Sequence, residues 1–179
     1  MQRFFVKFIQ RLAELIATGL GSGYFPVAPA TAGSAVALVL YWALPFQGRG
    51  DSAAFFWAIG GLVVIGTGAA AAIIPSGPGS AGSPSGARDA GRGDEKDQDP
   101  KRCVIDEFAG MWTACIFLPV TWGWMLAAFI AFRALDILKP FGIRRLEKLP
   151  GALGVMADDV AAGLVAAAGL NAVRLIFFD

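Results

Sequence analysis

The apolar residues of this chain fall into runs of helical length, and charged residues stand at the entry of several of these runs. Residues 3–16 mix basic and apolar positions at helical spacing, which is typical of a helix lying on an anionic membrane surface. A cleaved signal peptide is the alternative, but Lys7, Arg11 and Glu14 interrupt the apolar core that it would need. The pattern therefore predicts an interfacial N-terminal helix.

Three further apolar runs predict helices that lie within a membrane. Residues 31–46 and 53–74 flank a turn at 47–51, which predicts a hairpin of two helices. Only the second of the two is long enough to cross the roughly 30 Å hydrocarbon layer of a bilayer. A last apolar helix is expected from Asp159 to Phe178. The fold class predicted by these runs is all-α, an integral membrane helical bundle.

The apolar run at 108–132 is interrupted around Pro119. One span and two shorter helices that fold back at this proline are both compatible with the sequence. Basic residues concentrate in three flanking stretches, at 1–11, 88–102 and 133–148. Positively charged loops stay on the cytoplasmic side, and only the fold-back keeps all three stretches there. We therefore expect a re-entrant helix pair, with the charged helix entries at one interface.

Composition supports a membrane protein and narrows its chemistry. Hydrophobic residues make up 56% of the chain and charged residues 16%, against roughly 45–50% and 25% in soluble domains. The net charge is +1, so no basic field indicates a nucleic-acid partner. Residues 75–97 are too poor in apolar side chains to form a core. We expect one membrane-embedded domain, 1–179, interrupted there by a disordered insertion.

The chain contains no histidine. This excludes catalytic triads, phosphohistidine intermediates and zinc sites that depend on imidazole. Neither Cys103 nor Cys115 is followed by the arginine of a cysteine phosphatase loop. Attack by a water molecule is therefore the simplest hydrolytic mechanism, although an aspartate nucleophile stays open.

Five carboxylates stand beside apolar sequence, where ionised groups are costly unless they pair, bind a cation or meet water. They are Asp106, Glu107, Asp136, Asp158 and Asp159. Acidic residues at a helix start are also favoured by the helix dipole, which explains one acid per entry better than two. If the two acidic pairs face each other, they repel unless a cation lies between them. Hard oxygen ligands without histidine favour Mg²⁺ over zinc.

Two other segments suit a phosphate group. Arg133, Asp136 and Lys139 follow at three-residue steps, so on a helix they share a face; they form either an ion-pair network or an anion site. The glycine- and hydroxyl-rich segment 17–34 is either a flexible connector or a loop whose amides and hydroxyls, such as those of Ser22 and Thr31, hold an anion.

Four stretches of the sequence together form a recognisable pattern: Gly19–Gly23 with Pro26, Pro29, Thr31 and Gly33-Ser34; Asp99-Pro100 with Val104–Gly110; Phe132-Arg133 with Asp136, Lys139-Pro140 and Ile143-Arg144; and Gly151 with Gly154, Met156, Asp158-Asp159 and Gly163. In these stretches the sequence resembles the phosphatidylglycerophosphatase A family. The resemblance covers nearly everything except 75–97. Two departures are Ala30, where the family has glycine, and Gly142, where it has a second proline.

The resemblance implies a Mg²⁺-dependent lipid phosphatase of the bacterial inner membrane, with its active site facing the cytoplasm. Its substrate would be phosphatidylglycerophosphate and its product phosphatidylglycerol, a cardiolipin precursor. The implied catalytic residues are Asp106, Glu107, Asp136 and Asp159. The implied metal ligands are Asp106, Glu107, Asp136, Asp158 and Asp159. The implied phosphate-binding residues are Ser22, Thr31, Arg133, Lys139 and Arg144.

Other classes fit less well. The motif of CDP-alcohol phosphotransferases, with an Asp-Gly start and further spaced aspartates, is absent from the sequence. A non-enzymatic membrane scaffold or a cation-coupled transporter stays open as the alternative, and a transporter would place carboxylates near the middle of the membrane. The sequence leaves open the oligomeric state, the acyl-chain preference, the number of metal ions and which acids bind them directly.

Overall fold

A computed structural model describes residues 2–43, 53–73, 103–140, 142–149 and 152–178. All regular structure in this part of the chain is helical, which confirms the all-α prediction. The elements are α1 Gln2–Ala17, a 3-10 helix Ser22–Tyr24, α2 Pro29–Ala43, α3 Ala53–Ile73, α4 Ile105–Ala114, α5 Trp122–Leu138, a second 3-10 helix Ile143–Lys148, and α6 Ala152–Phe177. The predicted insertion 75–97 and the turn 47–51 lie outside the described residues.

The end of α1 is set by a run of left-handed backbone conformations. Gly19 and Gly21 have φ values of 55° and 91°, which glycine adopts without a steric penalty. A Cβ at Gly19 would lie 2.5 Å from the ring of Phe108. The amide of Val104 also donates to the carbonyl of Ala17 at 2.8 Å. The glycine-rich segment is therefore packed against the start of α4.

Helices α4 and α5 are antiparallel, as the fold-back prediction requires. Helix α4 ends at Ala114, and the chain turns through Phe117, whose φ is 60°, and then Pro119. Near the end of α5, the fully buried ring of Phe132 packs against Gly110 of α4. The pair therefore folds back at Pro119 and brings the end of α5 to the start of α4.

Helix α6 runs in the same direction as α4 and crosses it closely. A Cβ at Gly163 would lie 2.3 Å from the carbonyl oxygen of Gly110. Helix α6 begins at Ala152, so the prediction that the last helix begins at Asp159 is wrong. Residues 152–157 contain good helix formers, and burial of Ala152 and Met156 extends the helix backwards. A helix-start dipole therefore does not account for Asp158 and Asp159.

One helix in the described part of the chain, α6, is long and apolar enough to cross a membrane, judged by length and composition. The apolar stretches Pro29–Ala43 and Phe55–Ala71 are shorter.

Helix α2 packs against α4, where the indole of Trp112 donates to the carbonyl of Ala37 at 2.9 Å. These contacts put the starts of α2, α4 and α6 beside the end of α5.

Candidate active site

The charged residues that the sequence singled out converge at one end of the helix assembly. Glu107 in the first turn of α4 contacts Arg133 near the end of α5, and Asp158 of α6 contacts Lys139. Glu107, Asp158 and Asp159 are all buried. The predicted convergence of the acidic and basic residues is thus confirmed.

Arg133 is the centre of one half of the cluster. Its Nη1 donates to Glu107 Oε2 at 2.6 Å and to Asp136 Oδ2 at 2.9 Å. Within the described residues both hydrogen bonds of this guanidinium leave from Nη1. The side chain is 14% exposed. Arg133 is therefore held on one edge, while Nη2 and Nε have no partner among the described residues and suit two oxygens of an anion such as phosphate.

Lys139 does not complete this network. It occupies the C-cap of α5 with φ 44°, and its ammonium donates to Asp158 of α6. The left-handed turn, followed by Pro140, ends the helix and moves Lys139 off the face that carries Arg133. The predicted network with Asp136 between two cations is therefore replaced by two separate groups: Arg133 with Glu107 and Asp136, and Lys139 with Asp158.

Asp106 and Asp159 form the second half of the cluster, and no cation in the described part of the chain pairs with either. Asp106 accepts a hydrogen bond from the backbone amide of Glu107 at 3.0 Å. Asp159 Oδ2 is buried and has no hydrogen-bond partner within the described residues. The charge of Asp106 is the strongest of those that act on Asp159. Two acidic groups thus lie close together here without a compensating cation among the described residues.

The same acids do not form a ready-made metal cage. Among the described residues, no group of three or more Asp, Glu or Cys side chains is arranged to hold a metal ion. Glu107, Asp136 and Asp158 are already engaged by Arg133 and Lys139. The five predicted metal ligands therefore separate into three acids paired with cations and two unpaired acids.

Burial shifts the ionisation of the α4 acids, which lie outside the candidate membrane span. Desolvation, and then the charge of Glu107, raise the pKa of Asp106 well above its ordinary value. Desolvation also raises the pKa of Glu107 to about 7, with Asp136 adding to the rise and Arg133 opposing it. In the absence of a bound metal ion, the carboxyls of Asp106 and Glu107 are therefore harder to ionise than exposed carboxyls.

Ser34 of α2 also belongs to the site, although sequence reasoning gave it no role. Its side chain is fully buried, and Oγ lies 3.0 Å from Glu107 Oε2. The only signal in the sequence was its place beside Gly33 after Thr31. That signal does not identify Glu107 as the partner, because the two residues are 73 positions apart.

Among the described residues, the remaining predicted phosphate-binding side chains have no contact with the cluster that identifies a role. Ser22 Oγ donates to the carbonyl of Gly19 at 2.9 Å, inside its own loop. Thr31 is exposed in the first turn of α2, and Arg144 is exposed on the second 3-10 helix. Their assignment to phosphate binding remains a prediction.

The two departures from the family pattern have different consequences. Ala30 is helical and is not among the residues with positive φ, so alanine is accommodated there without strain. Gly142 has a φ of 80°, which the fixed ring of proline does not permit. The segment after Lys139 therefore follows a backbone path that the second proline would not allow.

Comparison with known proteins gives a consistent result. The family model described as Phosphatidylglycerophosphatase A matches residues 90–174. A Bacteroides thetaiotaomicron protein named "Putative phosphatidylinositol-3-phosphatase" is 39% identical over 163 residues, which cover 86% of this chain and 87% of the relative. Phosphatidylglycerophosphatase A of Escherichia coli K12 is 33% identical over 86% of this chain and 78% of its own length.

A third similar protein covers a smaller part of the chain. Phosphatidylglycerophosphatase A of Haemophilus influenzae is 49% identical over 65 residues, which are 35% of this chain and 40% of that protein. No solved structure matches the chain.

Proposed function

Because the chain belongs to the phosphatidylglycerophosphatase A family, we propose that it hydrolyses phosphatidylglycerophosphate to phosphatidylglycerol and inorganic phosphate. The observation that carries this proposal is the juxtaposition of Arg133, with donors left for an anion, and two acids that lack a cation. Arg133 would bind the phosphate of a monoester, and Asp106 and Asp159 would hold a divalent cation that accompanies it.

Arg133 is the residue that binds and orients the phosphate. Glu107 and Asp136 fix its Nη1, so the guanidinium loses little further freedom when Nη2 and Nε engage two phosphate oxygens. Lys139, held against Asp158, adds positive charge at the same end of α5. The acids that pair with Arg133 and Lys139 act by positioning these cations.

Asp106 and Asp159 fit a divalent cation. The buried Oδ2 of Asp159 has no partner, and the donors are hard oxygens. Mg²⁺ in proteins is usually held by one or two carboxylates together with waters and substrate phosphates. The lack of a three-carboxylate cage is therefore compatible with Mg²⁺ that arrives with the substrate. When bound, Mg²⁺ supplies stabilisation of phosphoryl charge and lowers the pKa of the attacking water.

In the proposed reaction, water attacks phosphorus and the bond from phosphorus to the glycerol oxygen breaks. The departing alkoxide takes up the proton that the attacking water gives up, and it leaves as the hydroxyl of phosphatidylglycerol. Arg133 holds the phosphoryl oxygens while charge develops on them, which is the usual contribution of a fixed guanidinium in phosphoryl transfer. In this proposal Asp106 or Asp159 would carry the proton from the attacking water toward the departing oxygen.

A location at the cytoplasmic face of the bacterial inner membrane fits the surfaces of the chain. Helix α6 has 26 residues, or about 39 Å at 1.5 Å per residue, which exceeds the hydrocarbon thickness. Helix α1 exposes Phe8, Leu12 and Leu15 at helical spacing, beside the basic Lys7 and Arg11. This face suits a helix lying on an anionic lipid surface. The whole assembly is then an integral membrane bundle with α1 at the interface.

The alternative is a cation-coupled transporter or a membrane scaffold. Against a transporter, the acids lie at the start of α4 and near the start of α6, instead of midway along a span. A scaffold does not require the oriented donors of Arg133. The position of the cluster therefore favours hydrolysis at an interface.

The test is phosphate release by the full chain in vesicles, with Mg²⁺ or with a chelator. Phosphatidylglycerophosphate, phosphatidylinositol 3-phosphate and phosphatidic acid are compared at equal surface concentration. We expect Mg²⁺-dependent release that is fastest from phosphatidylglycerophosphate. Faster release from the inositol lipid would reassign the substrate in line with the Bacteroides relative. No release from any of the three would contradict the proposal.

A further inference from the structure

We propose that Ser34 is a positioning residue that fixes the carboxylate of Glu107, and through it the guanidinium of Arg133, for binding the substrate phosphate. The inference rests on the proposed function and extends it to α2, a helix that has no charged residue. Ser34 Oγ, Glu107 Oε2 and Arg133 Nη1 form a continuous chain of contacts, at 3.0 and 2.6 Å.

The hydroxyl of Ser34 has two acceptors within reach. One is the carbonyl of Ala30 in its own helix and the other is Glu107 Oε2, both at 3.0 Å. A hydroxyl carries a single proton, so it donates to one acceptor at a time. A hydrogen bond to a carboxylate is stronger than one to a carbonyl that already serves the helix. Donation to Glu107 is therefore favoured whenever Glu107 is ionised.

Glu107 needs this second donor because the two N–H groups of Arg133 Nη1 are shared between Glu107 and Asp136, which leaves one for each acid. Nη1 serves both Glu107 and Asp136. Without Ser34, the carboxylate of Glu107 loses one of its two side-chain donors and becomes free to rotate. The guanidinium would then be drawn toward Asp136, on its own helix, and Nη2 and Nε would turn with it.

Ser34 is held in place by the packing of α2 on α4. A Cβ at the adjacent Gly33 would lie 2.9 Å from the side chain of Val104, so glycine permits the close approach. One turn further on, Trp112 donates to the carbonyl of Ala37. Ser34 therefore stands on a rigid helix face, which a residue needs in order to fix another side chain.

Burial separates positioning from direct chemistry. The side chain of Ser34 is fully buried, so its hydroxyl is shielded from the substrate and is not a nucleophile. Its effect on the reaction passes through Glu107 and Arg133. Loss of Ser34 should therefore weaken phosphate binding more than it slows the chemical step.

The experiment compares wild type, Ser34→Ala, Glu107→Gln and the double variant. KM and kcat for phosphatidylglycerophosphate are measured, and binding of inorganic phosphate is measured separately by calorimetry with Mg²⁺ present. One hydrogen bond to a charged group corresponds to roughly a tenfold change in binding. We expect KM and the phosphate dissociation constant to rise about tenfold in Ser34→Ala, with a smaller fall in kcat. In the Glu107→Gln background, Ser34→Ala should add little.

Thr113→Val is the matched control, because Thr113 is equally buried but its hydroxyl donates to Ala109 of its own helix. It should keep the wild-type phosphate affinity. If Ser34→Ala does not fold, Ser34→Cys keeps the volume with a weaker donor and is compared in the same way. Wild-type affinity in Ser34→Ala, or equal effects of that change with and without Glu107, would overturn the proposal. Absence of hydrolysis and of phosphate binding in wild type would instead contradict the function itself.

Discussion

The two ends of the contact between α4 and α6 are both polar, but they are built in opposite ways. At the end of α4, Asn171 Nδ2 donates to the carbonyl of Ile116 at 2.9 Å, and Arg174 Nη1 donates to that of Phe117 at 2.7 Å. At the start of α4, the acids Asp106 and Asp159 face each other as acceptors. We refer to these as the capped end and the acidic end.

The comparison separates polar groups that stabilise the fold from polar groups that serve the proposed function. At the capped end, side-chain donors serve the carbonyls of Ile116 and Phe117 in the turn that follows α4, so these acceptors are satisfied. The acidic end is unfavourable by itself, since desolvation and like charge both oppose ionisation. Such an arrangement beside a well-anchored arginine fits the proposed divalent cation.

The largest expected effect distinguishes the two ends directly. Asp106→Asn and Asp159→Asn should each lower Mg²⁺-dependent phosphate release by roughly a hundredfold or more, because a metal contributes several kcal/mol to such reactions. In the absence of Mg²⁺ the melting temperature should stay the same or rise, because each change removes a like charge. Activity and melting temperature are measured on the same preparations.

Retention of wild-type turnover by both variants would show that the cation site has been assigned wrongly. A parallel loss of melting temperature would instead show that the acids are structural, like the residues of the capped end.

The second prediction tests whether the capped end and the acidic end both depend on the close crossing of α4 and α6. Gly163→Ala places a Cβ 2.3 Å from the backbone oxygen of Gly110, which cannot move without the helix. We expect a destabilisation of about 1–3 kcal/mol, as for other overpacked sites, together with a lower kcat. Gly169→Ala is the control, since its Cβ meets nothing within 4 Å, and a gain in helix propensity should leave its melting temperature unchanged or higher.

The third effect belongs to the capped end alone. Asn171→Ala removes the side-chain donor to the carbonyl of Ile116, and an unsatisfied buried acceptor costs about 1–3 kcal/mol. We expect a lower melting temperature in detergent but wild-type kcat in the folded fraction at low temperature. A large loss of kcat without loss of stability would contradict the division between the two ends.

Sequence reasoning anticipated the features of the fold that local signals determine. Pro119, with the basic residues after 133, was enough to predict the fold-back, because proline interrupts a helix and positive loops share one side. The fold-back in turn placed Arg133 beside Glu107. The all-α class followed from the helical length of the apolar runs, and the convergence of the acids followed from the fold-back.

Other features depend on tertiary packing, which one sequence does not reveal. The start of α6 at Ala152 depends on burial of its first turns, and Lys139 finds Asp158 only because the chain leaves the helix with a positive φ. Ser34 reaches Glu107 because α2 docks on α4. The division between paired and unpaired acids required these contacts and was beyond the reach of spacing alone.

The smallest effect concerns pH and again separates the ends. Burial raises the pKa of Glu107 from its ordinary 4.5 to about 7, so between these values the folded protein binds more protons than the unfolded chain. The free energy of unfolding of the metal-free protein should therefore fall as pH rises from about 5 to 7, by about 1 kcal/mol per unit. The neighbouring Asp106 acts in the same direction.

Glu107→Gln should flatten this dependence of stability on pH. Asn171→Ala should lower the free energy of unfolding by a similar amount at every pH in this range, because no carboxyl with a raised pKa is among the described residues of the capped end. Saturating Mg²⁺ should reduce or reverse the slope of the wild type, since a cation binds the ionised carboxylates and competes with protons. Melting temperatures across this pH range, with and without Mg²⁺, provide the measurement. An identical slope in wild type and Glu107→Gln would mean that Arg133 keeps Glu107 ionised throughout and that the strain of the acidic end lies in Asp106 and Asp159 alone.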